Sequence, residues 1–181
     1  MTPDDLRALQ APIKARYRDD PAAATVTLRS TGVLGDQSIS CRVETGRALI
    51  DAGLHPMAGG DGSWACSGDM LLDALAACAG VTLKAVATAL NVEVRAGTVT
   101  VEGDLDFRGT LGVDRNAPVG FRAIRLVFDL ETSADPEALA TLKKLTERYC
   151  VVYQTLCRGV EASSEVRVRP TPKGQIGRAH V

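Results

Sequence analysis

The sequence predicts an α+β fold, on three observations about the order and pattern of its segments. Residues 71–90 form a long run that is apolar on almost every side, which predicts a helix in the core. Segments of alternating apolar and polar residues stand on both sides of this run, as in half-buried strands. Two later segments carry helix signals. The order strands, helix, strands, helices and a final strand is typical of α+β proteins.

The N-terminal part of the chain predicts a short helix and then strands. Asp4 or Asp5 starts the helix, which ends near Arg16. ATVTLRS (24–30) and SISCRVE (38–44) alternate as strands around the turn-like segment TGVLGDQ, so a hairpin is expected. TGRALIDAG (45–53) adds a strand, and residues 54–68, rich in Gly, Pro, Ser and Asp, are expected to form a loop.

The apolar run predicts a core helix with Ser67 as its N-cap, Asp69 in its first turn and its end near Leu90. Only ten residues separate Asp73 from Lys84, too few for the roughly twenty apolar residues that span a bilayer, so we expect no membrane association. A helix that is apolar on all sides needs cover on all sides. A second subunit would supply the cover that one small domain lacks, which favours a homodimer.

The C-terminal part predicts a strand meander, two helices and a strand. Residues 92–111 and 121–133 alternate as strands. Residues 134–149 begin with Pro and acid and end with basic residues, the polarity of a helix. Residues 150–159 are expected to form a second short helix and residues 160–170 a closing strand.

The composition limits which classes of protein the chain can belong to. The 181 residues are 45% hydrophobic, enough for one well-filled core, so one domain is expected. Lys and Arg total 21 against 22 Asp and Glu, and this balance argues against nucleic acid as a partner. The N-terminus has no basic segment followed by a long apolar one, so we expect a cytoplasmic protein.

Five cysteines are the candidate reactive groups. Their odd number and irregular spacing argue against a disulfide scaffold, and the absence of a Cys-x-x-Cys pair, with His55 and His180 far apart, argues against a metal site. Cys41 and Cys157 are expected to be packing residues, and Cys66 non-catalytic although it lies near a helix N-terminus. On spacing alone, Cys78 and Cys150 remain open between packing and reactivity.

Two motifs decide between those alternatives. SGDMLLDALAACAGVTLKAVA (67–87), followed 72 residues after its cysteine by LTERYCVVYQTLCRGVE (145–161), resembles the OsmC/Ohr family of osmotically inducible and organic-hydroperoxide-resistance proteins, and is closer to the branch with an E-[KR]-Y-C motif. The resemblance implies an intertwined homodimer with antiparallel sheets wrapped around a long buried central helix. It implies an N-terminal helical extension over 1–20 and a single OsmC-like domain over 21–170.

The chemistry that the resemblance implies is that of a cysteine-based peroxidase without a cofactor or metal. Cys78 and Cys150 occupy the family's two catalytic cysteine positions. Cys78 attacks an organic hydroperoxide and becomes a sulfenic acid, and Cys150 closes a disulfide on it, which protects the sulfur from irreversible oxidation. An external dithiol reduces the disulfide; in some relatives it is a lipoyl group on a carrier protein.

The sequence departs from the family pattern where Cys78 would be activated. An Arg at the tip of the N-terminal hairpin and a Glu early in the central helix serve this purpose in the family, but here Leu34 and Asp69 stand near those places. Arg29, Arg42 and Arg47 are candidate replacements, with Arg47 favoured. The departure leaves two other functions open: a redox sensor or thiol-exchange protein without efficient peroxide turnover, and a protein that binds an apolar ligand.

The tail 171–181 is excluded from functional reasoning. QIGRAHV (175–181) matches the translation of a common sequencing-adapter sequence, so we interpret it as read-through and expect the true C-terminus to be missing.

Overall fold

The computed structural model describes residues 2–19, 32–34, 40–44, 49–112 and 114–167. In chain order the elements are α1 (Pro3–Asp19), β1 (Gly32–Leu34), β2 (Ser40–Glu44), β3 (Leu49–Gly53), β4 (Ala65–Cys66), α2 (Ser67–Leu90), β5 (Ala96–Asp104), α3 (Phe107–Thr110), β6 (Ala123–Glu131), α4 (Pro136–Tyr149) and α5 (Val151–Arg158). A single 3-10 turn, Pro56–Ala58, is the other regular element of the described part. The strands form one sheet in the order β1-β2-β3-β4 and a second sheet in which β5 pairs with β6. The α+β class is confirmed.

The central helix α2 has well-defined ends. Cys66, with an extended backbone, is the N-cap in place of the predicted Ser67, which is the first helical residue. At the other end Asn91 adopts the left-handed conformation, with φ of 56°, and its N–H bonds to the carbonyls of Ala87 and Thr88. Asparagine is one of the few residues that accept this conformation, so it stops the helix at Leu90.

The β5–β6 pair covers one face of α2. The two strands pair antiparallel over their whole length, from Ala96 opposite Glu131 to Asp104 opposite Ala123. Alternate residues of each strand turn toward the core, as the sequence predicts. The inward residues pack on α2 together with α4 and α5; those nearest the middle of α2 are Val99, Val101, Ile124, Leu126 and Phe128.

Helix α2 is buried on one face only in the single chain. Its buried residues are Leu75, Ala79, Leu83, Val86 and Ala87. Val81, on the other side, is 73% exposed. In one chain β5, β6, α4 and α5 thus cover one side of α2, as expected for a single small domain.

By length and composition alone, α2 would also suffice to cross a membrane. This is weak evidence, since the core helix of a water-soluble protein meets the same criterion. Three charged side chains, those of Asp69, Asp73 and Lys84, stand within the helix.

Several predicted local structures are wrong in the described residues. Gly32–Leu34, placed in a turn, is a strand that pairs with β2. Phe107–Thr110, placed in a strand, is a short helix, because Asp106 caps it by accepting a hydrogen bond from the Arg108 N–H. Residues 160–167 form no strand, and Val166 is 89% exposed with no strand beside it. The predicted strand at 24–30 and the tail 171–181 lie outside the described residues.

The connection between β5 and β6 is held by ion pairs around Asp106. Its carboxylate accepts hydrogen bonds from the Arg108 side chain at 2.6 and 3.0 Å, and the Arg122 guanidinium lies 3.8 Å away. Hydrogen bonds from the Arg108 side chain, then from its backbone N–H, lower the pKa of Asp106 to about 2.

A lowered pKa makes the stability of the fold depend on acid pH. Asp106 stabilises the folded state fully above its unfolded pKa of about 3.9, and this contribution is lost as the pH falls toward about 2. We expect Asp106→Asn to be less stable than the wild type at pH 5 and closer to it at pH 2.5. Urea unfolding of both proteins across this range tests the prediction, and a constant difference between the two curves would contradict it.

Candidate active site

Cys150 sits at the junction between α4 and α5. Its N–H donates to the Thr146 carbonyl and ends α4, while its extended backbone, with φ of −72° and ψ of 109°, turns the chain into α5. Its Sγ then accepts a hydrogen bond of 3.5 Å from the Tyr153 N–H, so the thiol itself caps α5. Cys150 is completely buried, at 0% exposure. A cysteine with this double role is fixed in position by both helices.

Cys78 lies in the middle of α2 and packs against this junction. It is half-buried, between the covered and the exposed face of the helix, and it joins the cluster formed by Leu75, Ala79 and Cys150. The two cysteines pack together in this cluster, and their thiols are not joined by a disulfide. The structure thus brings together the two site residues that the sequence predicts.

The pKa of Cys78 is set by burial and by nearby hydrogen-bond donors. Burial raises the pKa of Cys78, but donors outweigh burial and the net direction is a lowered pKa. The donors are the backbone N–H groups of Val152 and Val151, the thiol of Cys150 and the hydroxyl of Thr82. Val151 and Val152 open α5, so the positive end of its dipole also faces the sulfur.

The pKa of Cys150 is shifted in the opposite direction, upward. Burial raises its pKa first, and the neighbouring Cys78, whose negative charge opposes a second ionisation, raises it further. The N–H groups of Tyr153 and Val152 lower it in part. Within the pair, Cys78 is therefore the thiol that ionises more readily, and Cys150 is the thiol that keeps its proton to higher pH.

Two other cysteines are described at side-chain level. Cys157 is exposed on the outer side of α5, so its prediction as a packing residue is wrong. Burial, followed by hydrogen bonding with Cys157, raises the pKa of Tyr153. Cys66 is half-buried at the start of α2, three turns before Cys78. The side chain of Cys41 is outside the described residues.

The predicted activating arginines cannot be placed at the site. Arg29 and Arg47 lie outside the described residues, and for Arg42 the description covers only its backbone position in β2, opposite Asp51. Leu34, placed in the hairpin turn by the sequence, is the last residue of β1, opposite Cys41 of β2. Asp69 is exposed in the first turn of α2.

Sequence reasoning missed the donors that the structure places on Cys78. Every residue except proline has a backbone N–H, so the sequence does not show which amides are near Cys78. Only the structure shows that the turn at Cys150 directs the first N–H groups of α5 toward α2. Thr82 did carry a signal, since it follows Cys78 by four residues and so shares its helix face. Among the described residues no three His, Cys, Asp or Glu side chains cluster as metal ligands would.

A cavity of about 520 Å³ between α4 and β6 is separate from the cysteine pair. Apolar side chains line most of it, and neither Cys78 nor Cys150 borders it; the apolar lining includes Leu83, Leu126, Phe128, Leu130, Leu139 and Leu142. This cavity therefore does not coincide with the candidate reactive groups. The candidate site is the arrangement around α2 and α5, because it holds two thiols of unequal acidity in one packed cluster.

Comparison with protein families and solved structures places this arrangement in context. The family model described as OsmC-like protein matches residues 60–165, which include α2, α4, α5 and both cysteines. No curated protein sequence matches the chain.

Solved structures share the fold at low sequence identity. The OsmC-like protein from Mycoplasma pneumoniae is 20% identical, with a TM-score of 0.61 over 74% of this chain and 89% of that chain. An organic hydroperoxide resistance protein OsmC from Legionella pneumophila is 17% identical, with a TM-score of 0.57 over 74% and 90%. The organic hydroperoxide resistance protein OhrB of Bacillus subtilis is 23% identical, with a TM-score of 0.51 over 74% and 92%.

Proposed function

Because the chain belongs to the OsmC-like protein family, we propose that it is a thiol-dependent peroxidase that reduces organic hydroperoxides with Cys78 and Cys150. Family membership supports a peroxide-related redox role. The observation that supports the finer proposal is the packing of Cys78, whose pKa is lowered by hydrogen-bond donors, against the buried Cys150, whose pKa is raised.

Cys78 is the nucleophile in this proposal. The thiolate is the reactive form of cysteine, and Cys78 is the member of the pair whose pKa is lowered. It is also the member that solvent reaches, since Cys150 is fully buried. Apolar neighbours such as Leu75, Val99 and Val101 favour an organic hydroperoxide over hydrogen peroxide.

The proton on Cys150 balances the reaction. The Cys78 thiolate attacks the terminal oxygen of ROOH, the O–O bond breaks, and Cys78 becomes a sulfenic acid while RO⁻ leaves. The Cys150 S–H supplies the proton that turns RO⁻ into the alcohol and so becomes a thiolate. That thiolate attacks the Cys78 sulfur, forms the disulfide and releases hydroxide, which solvent protonates. An external dithiol, for which a lipoyl carrier protein is the candidate, restores both thiols.

We also propose that the working form is a homodimer. An apolar stripe runs along the exposed face of α2 and consists of Leu71, Ala74, Ala77, Val81 and Ala85. Cys78 lies at the edge of this stripe. A second subunit that binds there would therefore exclude water from the site. We place the protein in the cytoplasm, where thiols are kept reduced.

Treatment of the reduced protein with one equivalent of cumene hydroperoxide tests the function. We expect a disulfide between Cys78 and Cys150, found by mass spectrometry of peptides. Cleavage before Asp69 and Asp73 separates Cys66 from Cys78, and cleavage after Tyr153 separates Cys150 from Cys157. The four cysteines of the described side chains are thus assigned individually.

The alternatives give different outcomes in the same experiment. If both thiols remain free, the peroxidase proposal fails. If the disulfide forms but repeated turnover with excess dithiol is no faster than the reaction without protein, the protein is a redox sensor. Cys66→Ser and Cys157→Ser serve as controls and should leave the disulfide unchanged.

A further inference from the structure

Cys150 is covered completely by its own chain. Its exposure is 0%. It belongs to one cluster with Leu75 and Ala79 of α2, against which Val152 and Leu156 of α5 also pack. Because this cover comes from elements of the same chain, it is present whether or not a second subunit binds.

Cys78 differs from Cys150 because one side of it faces the surface. It is half-buried, and the two residues that share its helix face one turn before it and two turns after it, Ala74 and Ala85, are both exposed. Cys78 thus lies on the border between the covered and the open side of α2. A thiol in solution therefore reaches the cysteine pair from the side of Cys78.

This difference in access bears on how a disulfide between the two cysteines is reduced. In thiol–disulfide exchange, a thiolate attacks one of the two sulfurs and displaces the other, and access helps to decide which sulfur is attacked. Attack on Cys150 requires the junction of α4 and α5 to open first. Opening slows that route by about tenfold for every ~1.4 kcal/mol that it costs.

We propose that the external dithiol reduces the Cys78–Cys150 disulfide by attacking Cys78, so that the mixed disulfide with the reductant forms on Cys78 and Cys150 is the leaving group. The inference rests on the proposed function, since it concerns the disulfide that the proposed reaction produces. Cys78 then serves in both halves of the cycle, first as the attacking group and later as the group attacked.

The exchange balances in two steps. A thiolate of the dithiol attacks the Cys78 sulfur, the protein disulfide breaks, and the electron pair of that bond leaves on Cys150. The second thiol of the reductant, as thiolate, then attacks the reductant sulfur of the mixed disulfide, releases Cys78 as a thiolate and closes the reductant as a cyclic disulfide. The protein gains two electrons, and the two protons of the dithiol pass through solvent to Cys78 and Cys150.

The position of Cys150 at the start of α5 suits a leaving group. Its Sγ is the N-cap of α5 and accepts a hydrogen bond of 3.5 Å from the Tyr153 N–H. An amide donor at a helix N-terminus stabilises negative charge on the departing sulfur. Burial acts against this, because it raises the pKa of Cys150 and so slows its departure. Access still favours attack on Cys78, since the alternative needs the junction to open.

Trapping the mixed disulfide with a monothiol tests the proposal without any hydroperoxide. Diamide first oxidises the reduced protein to the Cys78–Cys150 disulfide. Excess cysteamine then attacks this disulfide, and N-ethylmaleimide stops the exchange and labels the freed thiol. We expect cysteamine on the Cys78 peptide and maleimide on the Cys150 peptide, with no cysteamine on Cys150. Cleavage before Asp73 and after Tyr153 places the two cysteines on separate peptides for mass spectrometry.

Two controls show whether burial directs the attack. Cys66→Ser combined with Cys157→Ser removes two thiols that could exchange with the adduct, and this variant should give the same result as the wild type. The oxidised protein unfolded in urea has both sulfurs of the disulfide exposed. Cysteamine should there be found on Cys78 and on Cys150.

Several outcomes would overturn the inference. Cysteamine on Cys150 of the folded protein, or an equal split between the two cysteines, would show that Cys150 is open to attack. A disulfide that excess cysteamine leaves intact would show that Cys78 is out of reach. Attack on Cys78 alone in urea would mean that burial is not the cause, and failure of diamide to join the pair would leave no disulfide to reduce.

The test separates this inference from the proposed function. An adduct on Cys78 of the folded protein that spreads to Cys150 in urea supports the inference even if cumene hydroperoxide leaves both thiols free. That combination would refute the peroxidase and leave the route of reduction standing. The opposite combination, peroxide turnover with the adduct on Cys150, would refute the inference alone.

Discussion

Cys78→Ser is expected to consume no organic hydroperoxide beyond the rate without protein, whereas Cys150→Ser still consumes it but is destroyed in doing so. A serine hydroxyl stays protonated at neutral pH, so it cannot replace a thiolate as the attacking group. Without Cys150, the Cys78 sulfenic acid has no partner thiol and a second hydroperoxide oxidises it to the sulfinic acid. The two cysteines therefore have different roles in the proposed reaction, and their substitution should have different effects on hydroperoxide consumption.

The stoichiometry of hydroperoxide consumed without reductant gives the measurement. The wild type should consume one equivalent and stop as the disulfide. Cys150→Ser should consume at least two and carry sulfinic acid on Cys78, and Cys78→Ser should consume none. Equal consumption by the two variants would contradict the assigned roles, and would favour a symmetric pair in which either thiol attacks.

The positions of the two cysteines could be predicted because they depend on local signals. The apolar run fixes the place of Cys78 on α2, and Pro136 and Arg148 mark the polarity of the helix that ends at Cys150. The family motif then pairs the two. None of this required knowledge of contacts between distant segments.

The activation of Cys78 could not be predicted in the same way. It depends on the angle at which α5 leaves α4, and that angle is set by the extended backbone of Cys150 and by the bond from Tyr153 to its sulfur. The sequence points to an arginine side chain as the source of positive charge, whereas two of the donors that lower the pKa of Cys78 are backbone amides. Only tertiary structure shows amides of one helix meeting the sulfur of another.

Errors in the fold have a related origin. The alternation in residues 160–167 is typical of a strand, but a strand needs a neighbouring strand for its hydrogen bonds, and the described chain provides none there. The opposite error occurred at Gly32–Leu34, where turn-forming residues flank a strand that β2 pairs with. In both cases the presence of a partner strand, and not the pattern of the sequence, decides whether a strand forms.

If the proposed homodimer forms through α2, Val81→Glu is expected to convert it into a monomer. Val81 is 73% exposed in the single chain and lies near the middle of the apolar stripe of α2. In a two-fold interface each residue occurs twice, so the substitution introduces two carboxylates into a surface that is dry in the dimer. At about 3–5 kcal/mol for each uncompensated buried charge, the dissociation constant should rise by roughly ten-thousandfold or more.

Light scattering at micromolar concentration measures the effect. The wild type should give twice the chain mass of 19.1 kDa and Val81→Glu the mass of one chain. Val166→Glu is the matched control: this valine is 89% exposed and lies outside α2, so the same change there should leave the dimer intact. A wild-type protein that is monomeric under these conditions would remove the homodimer proposal. The apolar stripe of α2 would then need another cover, because monomeric proteins rarely expose large continuous apolar surfaces.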